Sequence, residues 1–240
     1  SASSRYGLRN IHTFNGSTYI KVPDKIDLGT ENYEMSFKVK FGSFNATTTA
    51  VYFIDVDGGD FNTPGRVAVY HRDNGGGSSP EIGMIGKDDG GATDFSNKDI
   101  SISAYSVSNV FTVSLKAVGN KYTLTVKVGK TLVGTETGTL TSRPSFSYDP
   151  SSGKSLLIGA STTKTANSFQ DNGTQIADYK IKKNNQLLHH WDGTVINTTR
   201  FGDSFKDKFG GNHGEIVGTA NAVEDTNFEF GRNKEQIYIG

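Results

Sequence analysis

The stretch that decides the fold reads Lys154-Ser-Leu-Leu-Ile-Gly-Ala160 and then, after a polar gap, Gly173-Thr-Gln-Ile-Ala-Asp-Tyr-Lys-Ile-Lys182 and Gln186-Leu-Leu-His-His-Trp-Asp192. The first segment is a short apolar run bounded by Ser and Gly, which predicts a buried strand. In the second segment polar and apolar residues alternate, as in a strand with one buried face. Asn184-Asn185 follows and favours a tight hairpin, because Asn tolerates left-handed backbone. We therefore predict three strands here, with the only tryptophan, Trp191, in the core.

Alternation between polar and apolar residues recurs along the chain, most regularly in Tyr33–Phe41 and in the hairpin Val110–Val128. Polar residues predict two long loops, Lys87–Asp99 and Ser142–Gly153. The chain has 29 Gly, 15 Phe and 10 Tyr in 240 residues and shows no sustained helical periodicity, which favours many short strands. We expect one all-β domain, residues 1–240, of two antiparallel sheets packed face to face.

Two further stretches carry a family pattern. Phe14-Asn-Gly-Ser-Thr-Tyr-Ile-Lys-Val-Pro23 has the form F-x-G-x-x-Y-I-x-V, and Asp203–Gly218 contains, from Asp207 onward, the form D-x-x-G-x-x-H-G-x-I-x-G. Together with the first stretch, they resemble the laminin-G-like domains of the concanavalin-A-like lectin and glucanase superfamily, over most of the chain. The resemblance implies a two-sheet antiparallel jelly-roll sandwich. These motifs belong to the scaffold, so function has to be argued from a site.

Charge and composition exclude several classes of function. Basic and acidic residues balance at 25 each, which gives no electrostatic argument for nucleic acid or for an anionic membrane. No segment has the roughly 20 apolar residues of a membrane span, so we expect no membrane insertion. The absence of cysteine excludes disulfides, thiolate metal sites and cysteine nucleophiles. Because the chain starts Ser-Ala-Ser-Ser, we expect it to be one module beside others in a longer protein.

The densest acidic cluster is Asp55, Asp57 and Asp60, with two glycines that let the loop curl. Calcium takes about six to eight oxygen ligands, which a loop of this composition can supply. Laminin-G-like domains often hold one calcium at the loop rim, so the resemblance implies a calcium site at these three residues. The alternative is that Asp-Gly-Gly-Asp is a plain turn.

Two stretches invite an enzymatic interpretation. Asp55-x-Asp57-x-x-Asp60 is similar to the Glu-x-Asp-x-x-Glu of laminarinase-type glycoside hydrolases, but Asp is shorter than Glu and the glycines would break the strand that fixes the carboxylate spacing. Tyr70-His71-Arg72 contains residue types used by alginate-lyase-type jelly rolls, but neighbours on a strand face opposite sides. We therefore predict a protein that is not an enzyme, with glycoside hydrolase or polysaccharide lyase as the enzymatic alternatives.

Binding is the function that remains. Sugars are held by an aromatic ring flanked by polar groups, with calcium in some sites. We expect an extracellular, lectin-like module that recognises a glycan, as part of an adhesin, a phage tail or a secreted multidomain protein. The alternative is a structural or protein-interaction jelly roll, in which the loop aromatics all fold inward. The candidate ligand-binding residues are Tyr52, Phe61, Asn62, Tyr70, Arg72, Asp73, Asn74 and Tyr148.

Overall fold

The computed structural model of the protein describes residues 9–56, 64–143, 145–161, 170, 172–227 and 229–231. These residues form eighteen strands and one turn of 3-10 helix, Pro150–Ser152. None of them forms a helix with the length and hydropathy needed to cross a membrane. The strands are β1 (Asn10–His12), β2 (Tyr19–Lys21), β3 (Ile26–Gly29), β4 (Tyr33–Lys40), β5 (Val51–Val56), β6 (Val67–Asp73), β7 (Pro80–Lys87), β8 (Thr93–Ser101), β9 (Phe111–Val118), β10 (Lys121–Val128), β11 (Thr131–Thr139), β12 (Phe146–Tyr148), β13 (Leu157–Ile158), β14 (Gln175–Lys183), β15 (Gln186–Thr198), β16 (Gly202–Asp207), β17 (Gly214–Val217) and β18 (Ala222–Glu224).

Most strands belong to one antiparallel sheet, in the order β11-β10-β9-β4-β14-β15-β16-β17-β2-β13, with β1 paired to both β15 and β18. The predicted hairpins are confirmed: β9 pairs with β10, and β14 pairs with β15. Asn184 and Asn185 have φ angles of 50° and 64°, so both adopt the left-handed conformation that the two-residue turn requires. The predicted pattern of β4 is also confirmed, because its residues alternate between buried and half-buried positions.

A second antiparallel sheet has the order β5-β6-β7-β8, and β12 pairs with β3 in a separate ribbon. The prediction of a polar loop over Lys87–Asp99 was wrong, because β8 occupies most of this segment. As an edge strand β8 exposes many polar side chains, and Phe95 and Ile100 are its buried residues. The loop predicted over Ser142–Gly153 is interrupted by β12, whose Phe146 and Tyr148 are buried.

The core lies between the inner faces of the two sheets. Phe37 of β4 contacts Phe53 of β5, with ring centroids 4.9 Å apart, and stacks on Tyr179 of β14 at 5.7 Å. Trp191 is fully buried as predicted, and its Nε1 donates a hydrogen bond to the carbonyl of Asn212 at 2.8 Å. The predicted all-β jelly-roll sandwich is therefore confirmed.

Candidate functional site

The side of β6 that faces away from the core carries Tyr70 and Arg72, and Arg66 lies just before the strand on the same side. Successive residues of a strand point to opposite faces, so Val67, Val69 and His71 face inward. Tyr52 of β5 is directly opposite Tyr70 in the strand register, which adds it to the same surface. We call Tyr52, Arg66, Tyr70 and Arg72 the arginine–tyrosine face. It unites three of the predicted ligand-binding residues and separates them from His71, as expected for neighbours on a strand.

The four side chains of the arginine–tyrosine face contact one another in a row. The Arg66 guanidinium lies 5.1 Å from the centre of the Tyr52 ring, and the Arg72 guanidinium lies 5.1 Å from the centre of the Tyr70 ring. The two tyrosine rings meet edge to face at 6.3 Å. Contacts of a cation with an aromatic face are attractive, so each arginine stabilises the orientation of the ring beside it.

Acidic and amide side chains of the neighbouring strands surround Arg72. Its Nε donates to Glu81 Oε1 at 2.6 Å. Its Nη2 donates to Asp99 Oδ2 at 2.7 Å and to Asn97 Oδ1 at 3.1 Å. Glu81 lies opposite Arg72 in the register of β6 and β7, whereas Asp99 reaches it from β8. Arg72 is therefore fixed by three partners and is preorganised for contact with a ligand.

Gly83 makes room for a hydrogen bond between Tyr70 and Asp99. It lies between Tyr70 on β6 and Asp99 on β8 in the strand register. A Cβ atom at this position would overlap Asp99 Oδ1 and lie 2.9 Å from the Tyr70 ring. Without that atom, the Tyr70 hydroxyl donates a hydrogen bond across the strand to Asp99 Oδ1 at 2.8 Å. Glycine is therefore required here by the close approach of its neighbours.

Burial and neighbouring charges shift the acid–base properties of the network. Burial, together with the hydrogen bond to Asp99, raises the pKa of the Tyr70 hydroxyl. Burial also raises the pKa of Glu81, and the repulsion of Asp99 adds to this effect while Arg72 opposes it. Burial acts to lower the pKa of Arg72, but the two carboxylates outweigh it and leave that pKa raised. Arg72 therefore keeps its positive charge, while Tyr70 stays a hydroxyl donor.

The network is accessible at its Arg72 end. The side chain of Arg72 is 18% exposed, that of Asp99 is 12% exposed and that of Glu81 is 11% exposed. Tyr52 is half-buried and Asn97 is exposed. Asn97 also has a φ of 52°, a conformation that non-glycine residues seldom adopt and that occurs often at functional sites. Donors, acceptors and one aromatic ring therefore meet the solvent together.

Asp55 of the predicted calcium loop lies in the buried part of this sheet. Its carboxylate accepts hydrogen bonds from Arg66 Nε and Nη2, at 2.8 and 3.1 Å, and from the Ser161 hydroxyl at 2.7 Å. Both carboxylate oxygens of Asp55 are thus paired within the protein. Asp57 and Asp60 are outside the described residues, so calcium binding by this loop stays a prediction. Across the described residues, no three His, Asp or Glu side chains are grouped so as to hold a metal ion.

The remaining predicted residues have separate locations. Asp73 is buried and its carboxylate accepts the backbone N–H groups of Gly75 and Ser79, so it holds the glycine-rich loop after β6. Asn74 is exposed in that loop, whereas Tyr148 is 1% exposed in the core, with its hydroxyl 3.8 Å from the Met35 sulfur. We therefore leave Tyr148 and Asp73 out of the candidate site. Phe61 and Asn62 lie outside the described residues.

A second charged cluster surrounds Asp178, which has a left-handed φ of 51° at an irregularity of β14. Its Oδ1 lies 2.7 Å from His190 Nε2, and Arg9 and Lys38 lie 3.5 and 3.4 Å from the carboxylate. Burial opposes ionisation, but His190 and the two cations outweigh it and lower the pKa of Asp178 to about 2. The internal pairing of these groups indicates a structural role for this cluster.

The neighbouring residues His189 and His190 have different partners. His190 contacts Asp178, whereas His189 Nδ1 lies 2.7 Å from Asp207 Oδ2 and its ring stacks on Trp191. The third histidine of this region, His213, holds the turn, because its Nδ1 accepts the backbone N–H of Asp207 at 3.0 Å.

Sequence reasoning missed Glu81, Asn97 and Asp99. The last two lie on β8, in the segment predicted as a loop, and their proximity to Arg72 depends on the pairing of three strands. It also missed Phe209, an aromatic side chain that is 61% exposed in the turn after β16. The neighbouring Gly210-Gly211 pair was the available signal, because a glycine-rich turn exposes the residue beside it.

Comparison with known proteins gives structural likeness without sequence similarity. No family model matches the chain, and no curated protein matches it. A solved structure from Bacteroides ovatus ATCC 8483, described as a candidate carbohydrate-binding protein, is 13% identical with a TM-score of 0.52. The match covers 90% of this chain and 60% of that protein. This chain thus spans less than two thirds of its length, and the likeness concerns the fold.

Two other solved structures are similar at lower scores. The enzymatically active domain of tailspike protein 2 from bacteriophage CBA120 is 14% identical, with 75% of this chain and 30% of that chain covered and a TM-score of 0.46. Domains LG4-5 of the mouse laminin α1 chain are 10% identical, with 75% and 44% covered and a TM-score of 0.41.

Proposed function

We propose that this chain is a carbohydrate-binding module that holds a glycan on the arginine–tyrosine face, at its Arg72 end. The observation that carries the proposal is the accessible set of an aromatic ring, a guanidinium, two carboxylates and an amide on one side of the four-stranded sheet. Sugar rings stack on aromatic faces, and their hydroxyl groups both donate and accept hydrogen bonds. This surface offers both kinds of partner.

Preorganisation supports the proposal. Arg72 rests on the Tyr70 ring and donates to Glu81 and Asp99, so its orientation is set before a ligand arrives. Tyr52 is held by Arg66, which lies over its ring, and by an edge-to-face contact with Tyr70. A site whose side chains are already ordered loses little conformational entropy on binding, which favours recognition of weakly held hydroxyl groups.

The fold is consistent with this role. The similar Bacteroides protein is described as a candidate carbohydrate-binding protein, and the sandwich scaffold hosts such sites. We further propose an extracellular location, with the chain as one module of an adhesin, a phage tail or a secreted multidomain protein. The ligand in this proposal is a glycan, with neighbouring modules as the other partners.

A binding role without catalysis fits the position of Asp55. A glycosidase of the type considered above would need this carboxylate to face an open groove, close to a second carboxylate. Instead Asp55 is 2% exposed, and both of its oxygens accept hydrogen bonds from Arg66. It therefore lacks the access that a nucleophile or an acid–base group requires.

The test is a glycan-array screen followed by titration calorimetry on any ligand found, in calcium and in EDTA. We expect binding by the wild type, and at least a tenfold loss of affinity for Tyr52→Leu and for Arg72→Ala, because the first removes the ring and the second a guanidinium. Phe209→Ala is the matched control, since it removes an exposed aromatic side chain elsewhere. Melting temperatures of all variants show whether they are folded.

The results of this screen locate the glycan site or overturn the proposal. If Phe209→Ala abolishes binding and Tyr52→Leu does not, the glycan site lies at the turn after β16 and the proposed location is wrong. If binding disappears in EDTA, calcium is part of the site. If no glycan binds under either condition, the carbohydrate-binding proposal fails and the structural or protein-interaction interpretation replaces it.

A further inference from the structure

The accessible end of the arginine–tyrosine face has more negative than positive charge. Among the described residues Arg72 is the one cation at this end, and the carboxylates of Glu81 and Asp99 both contact its guanidinium. Asn97 adds an amide without charge. At neutral pH this end therefore carries one excess negative charge. The charge belongs to the groups that a bound ligand would meet.

Other charged groups of the sheet do not offset this excess. Arg66 is neutralised by Asp55 in a buried pair, so its charge is compensated locally. Lys98 is opposite Met84 in the register of β7 and β8 and thus lies on the core side of the sheet. Lys87 is opposite Gly65-Arg66 at the far end of the strands, where its Nζ donates to Thr93. The charge at the Arg72 end is thus local.

The free hydrogen-bonding capacity at this end is mostly that of an acceptor. Tyr70 and Arg72 direct donors to the carboxylates, but a carboxylate has about four lone-pair sites, so acceptor capacity remains on Glu81 and Asp99. Asn97 uses its Oδ1 for Arg72, which leaves its Nδ2 group to donate. Hydroxyl groups of a sugar match this set, whereas a ligand carboxylate would meet two like charges.

From this arrangement we infer that the arginine–tyrosine face selects uncharged glycans and rejects those with a carboxylate or sulfate at the bound residue. The inference rests on the proposed carbohydrate-binding function and specifies its ligand class. Rejection arises from like-charge repulsion across a partly desolvated contact, and specificity of this kind is commonly built from a repulsive element. Glu81 and Asp99 are thus specificity-determining residues as well as supports for Arg72.

The experiment compares matched pairs of glycans by calorimetry: neutral hexose or N-acetylhexosamine oligosaccharides, and the same oligosaccharides carrying a uronic acid, sialic acid or sulfate. The proteins are the wild type, Glu81→Gln, Asp99→Asn and the double variant, with Ser103→Ala as an exposed control. We expect the wild type to bind the neutral member at least tenfold more tightly. The double variant keeps side-chain volume and removes both charges, so we expect it to reduce this preference to less than threefold.

The outcomes distinguish the two proposals. Equal or tighter binding of the acidic member by the wild type overturns the charge selectivity and leaves carbohydrate binding intact. A preference that the double variant and Ser103→Ala both retain shows that its origin is elsewhere, which also overturns the inference. If no member of any pair binds, the proposed function fails and the selectivity fails with it.

Discussion

The carboxylate of Asp55 and the guanidinium of Arg66 form two parallel hydrogen bonds, 2.8 and 3.1 Å long, in a pair whose side chains are 1% and 3% exposed. Removing one partner of a buried ion pair leaves the other charge uncompensated, at a cost of about 3 kcal/mol. We therefore expect Asp55→Asn to lower the free energy of unfolding by about that amount, as measured by urea denaturation. The matched control is Asp203→Asn at an exposed position, which should have little effect.

Urea denaturation of the wild type and of Asp55→Asn, in calcium and in EDTA, tests whether Asp55 binds calcium. Because Asp55 is committed to Arg66, we expect the destabilisation by Asp55→Asn to be equal in both conditions. If the wild type is stabilised by calcium and Asp55→Asn abolishes that stabilisation, Asp55 is a calcium ligand and Arg66 must move away from it. Linkage relates the size of the stabilisation to the calcium affinity.

We expect protonation of His71 to destabilise the protein in acid. Its ring is fully buried, its Nε2 accepts the backbone N–H of Asn45 at 2.9 Å and its Nδ1 lies 2.9 Å from the carbonyl of Glu81. Burial lowers the pKa of His71 from 6.5 to about 4, so the unfolded chain binds a proton more readily than the folded one. The stability that the neutral His71 ring contributes is therefore fully present above pH 6.5. It is lost as the pH falls to about 4, by roughly 3 kcal/mol.

Urea denaturation between pH 4 and pH 8 measures this loss. His71→Gln offers one donor and one acceptor without a titrating ring, so we expect it to reduce the dependence on pH, whatever its effect on stability at pH 8. An unchanged pH dependence in His71→Gln would show that other groups, such as His12, account for the acid sensitivity.

We expect that replacing His12 with an apolar residue stabilises the protein. It is fully buried, both of its ring nitrogens lack a hydrogen-bond partner among the described residues, and its ring contacts Phe14 edge to face at 4.8 Å. An unpaired buried polar group costs about 1–3 kcal/mol. We expect His12→Phe to raise the melting temperature in calorimetry, with Phe14→Leu as a destabilising control. A lower melting temperature for His12→Phe would mean that these nitrogens have a partner in solution.

We expect the Asp207 carboxylate to stabilise the turn that carries Phe209. Its carboxylate accepts the backbone N–H groups of His190, Phe209, Gly210 and Asn212. Burial acts to raise its pKa, but these bonds and that to His189 hold the pKa of Asp207 well below its usual value. We expect Asp207→Asn to cost roughly 3 kcal/mol, because an amide has one acceptor oxygen and no charge.

Fluorescence of the single tryptophan provides a local readout for this variant. Trp191 donates to the carbonyl of Asn212, in the same turn, and stacks on His189. A change in its emission before global unfolding would show that the turn opens separately. If Asp207→Asn behaves as Asp203→Asn does, the hydrogen bonds to this carboxylate contribute little.

Regular strands could be predicted from the sequence and the candidate site could be predicted only in part. Strands such as β4 alternate between core and solvent, so the period-two pattern identifies them. β8 lies at an edge and has few buried residues, which left its polar sequence indistinguishable from a loop. The proximity of Asp99 to Arg72 depends on the register of β6, β7 and β8, which is tertiary information.

Residue type alone also misplaced two predicted ligand-binding residues. Asp73 and Tyr148 have the chemistry of sugar-binding side chains, but one holds a turn and the other packs in the core. Tyr52, Tyr70 and Arg72 were predicted from the same residue chemistry, and the pairing of β5 with β6 brings them onto one face. Their shared face depends on strand register, which residue type does not supply.

The position of β4 has a consequence for synthesis in the cell. Met35 of this strand is paired with Leu115 on one side and with Ile181 on the other. A chain that leaves the ribosome from its N-terminus must therefore leave one hydrogen-bonding edge of β4 without its partner strand until Ile181 has been made, since neither partner is local. Such a topology folds slowly and late, and aggregation competes with it in the meantime. We thus expect high yields to depend on chaperones or slow translation, and C-terminal truncations before β14 to be insoluble.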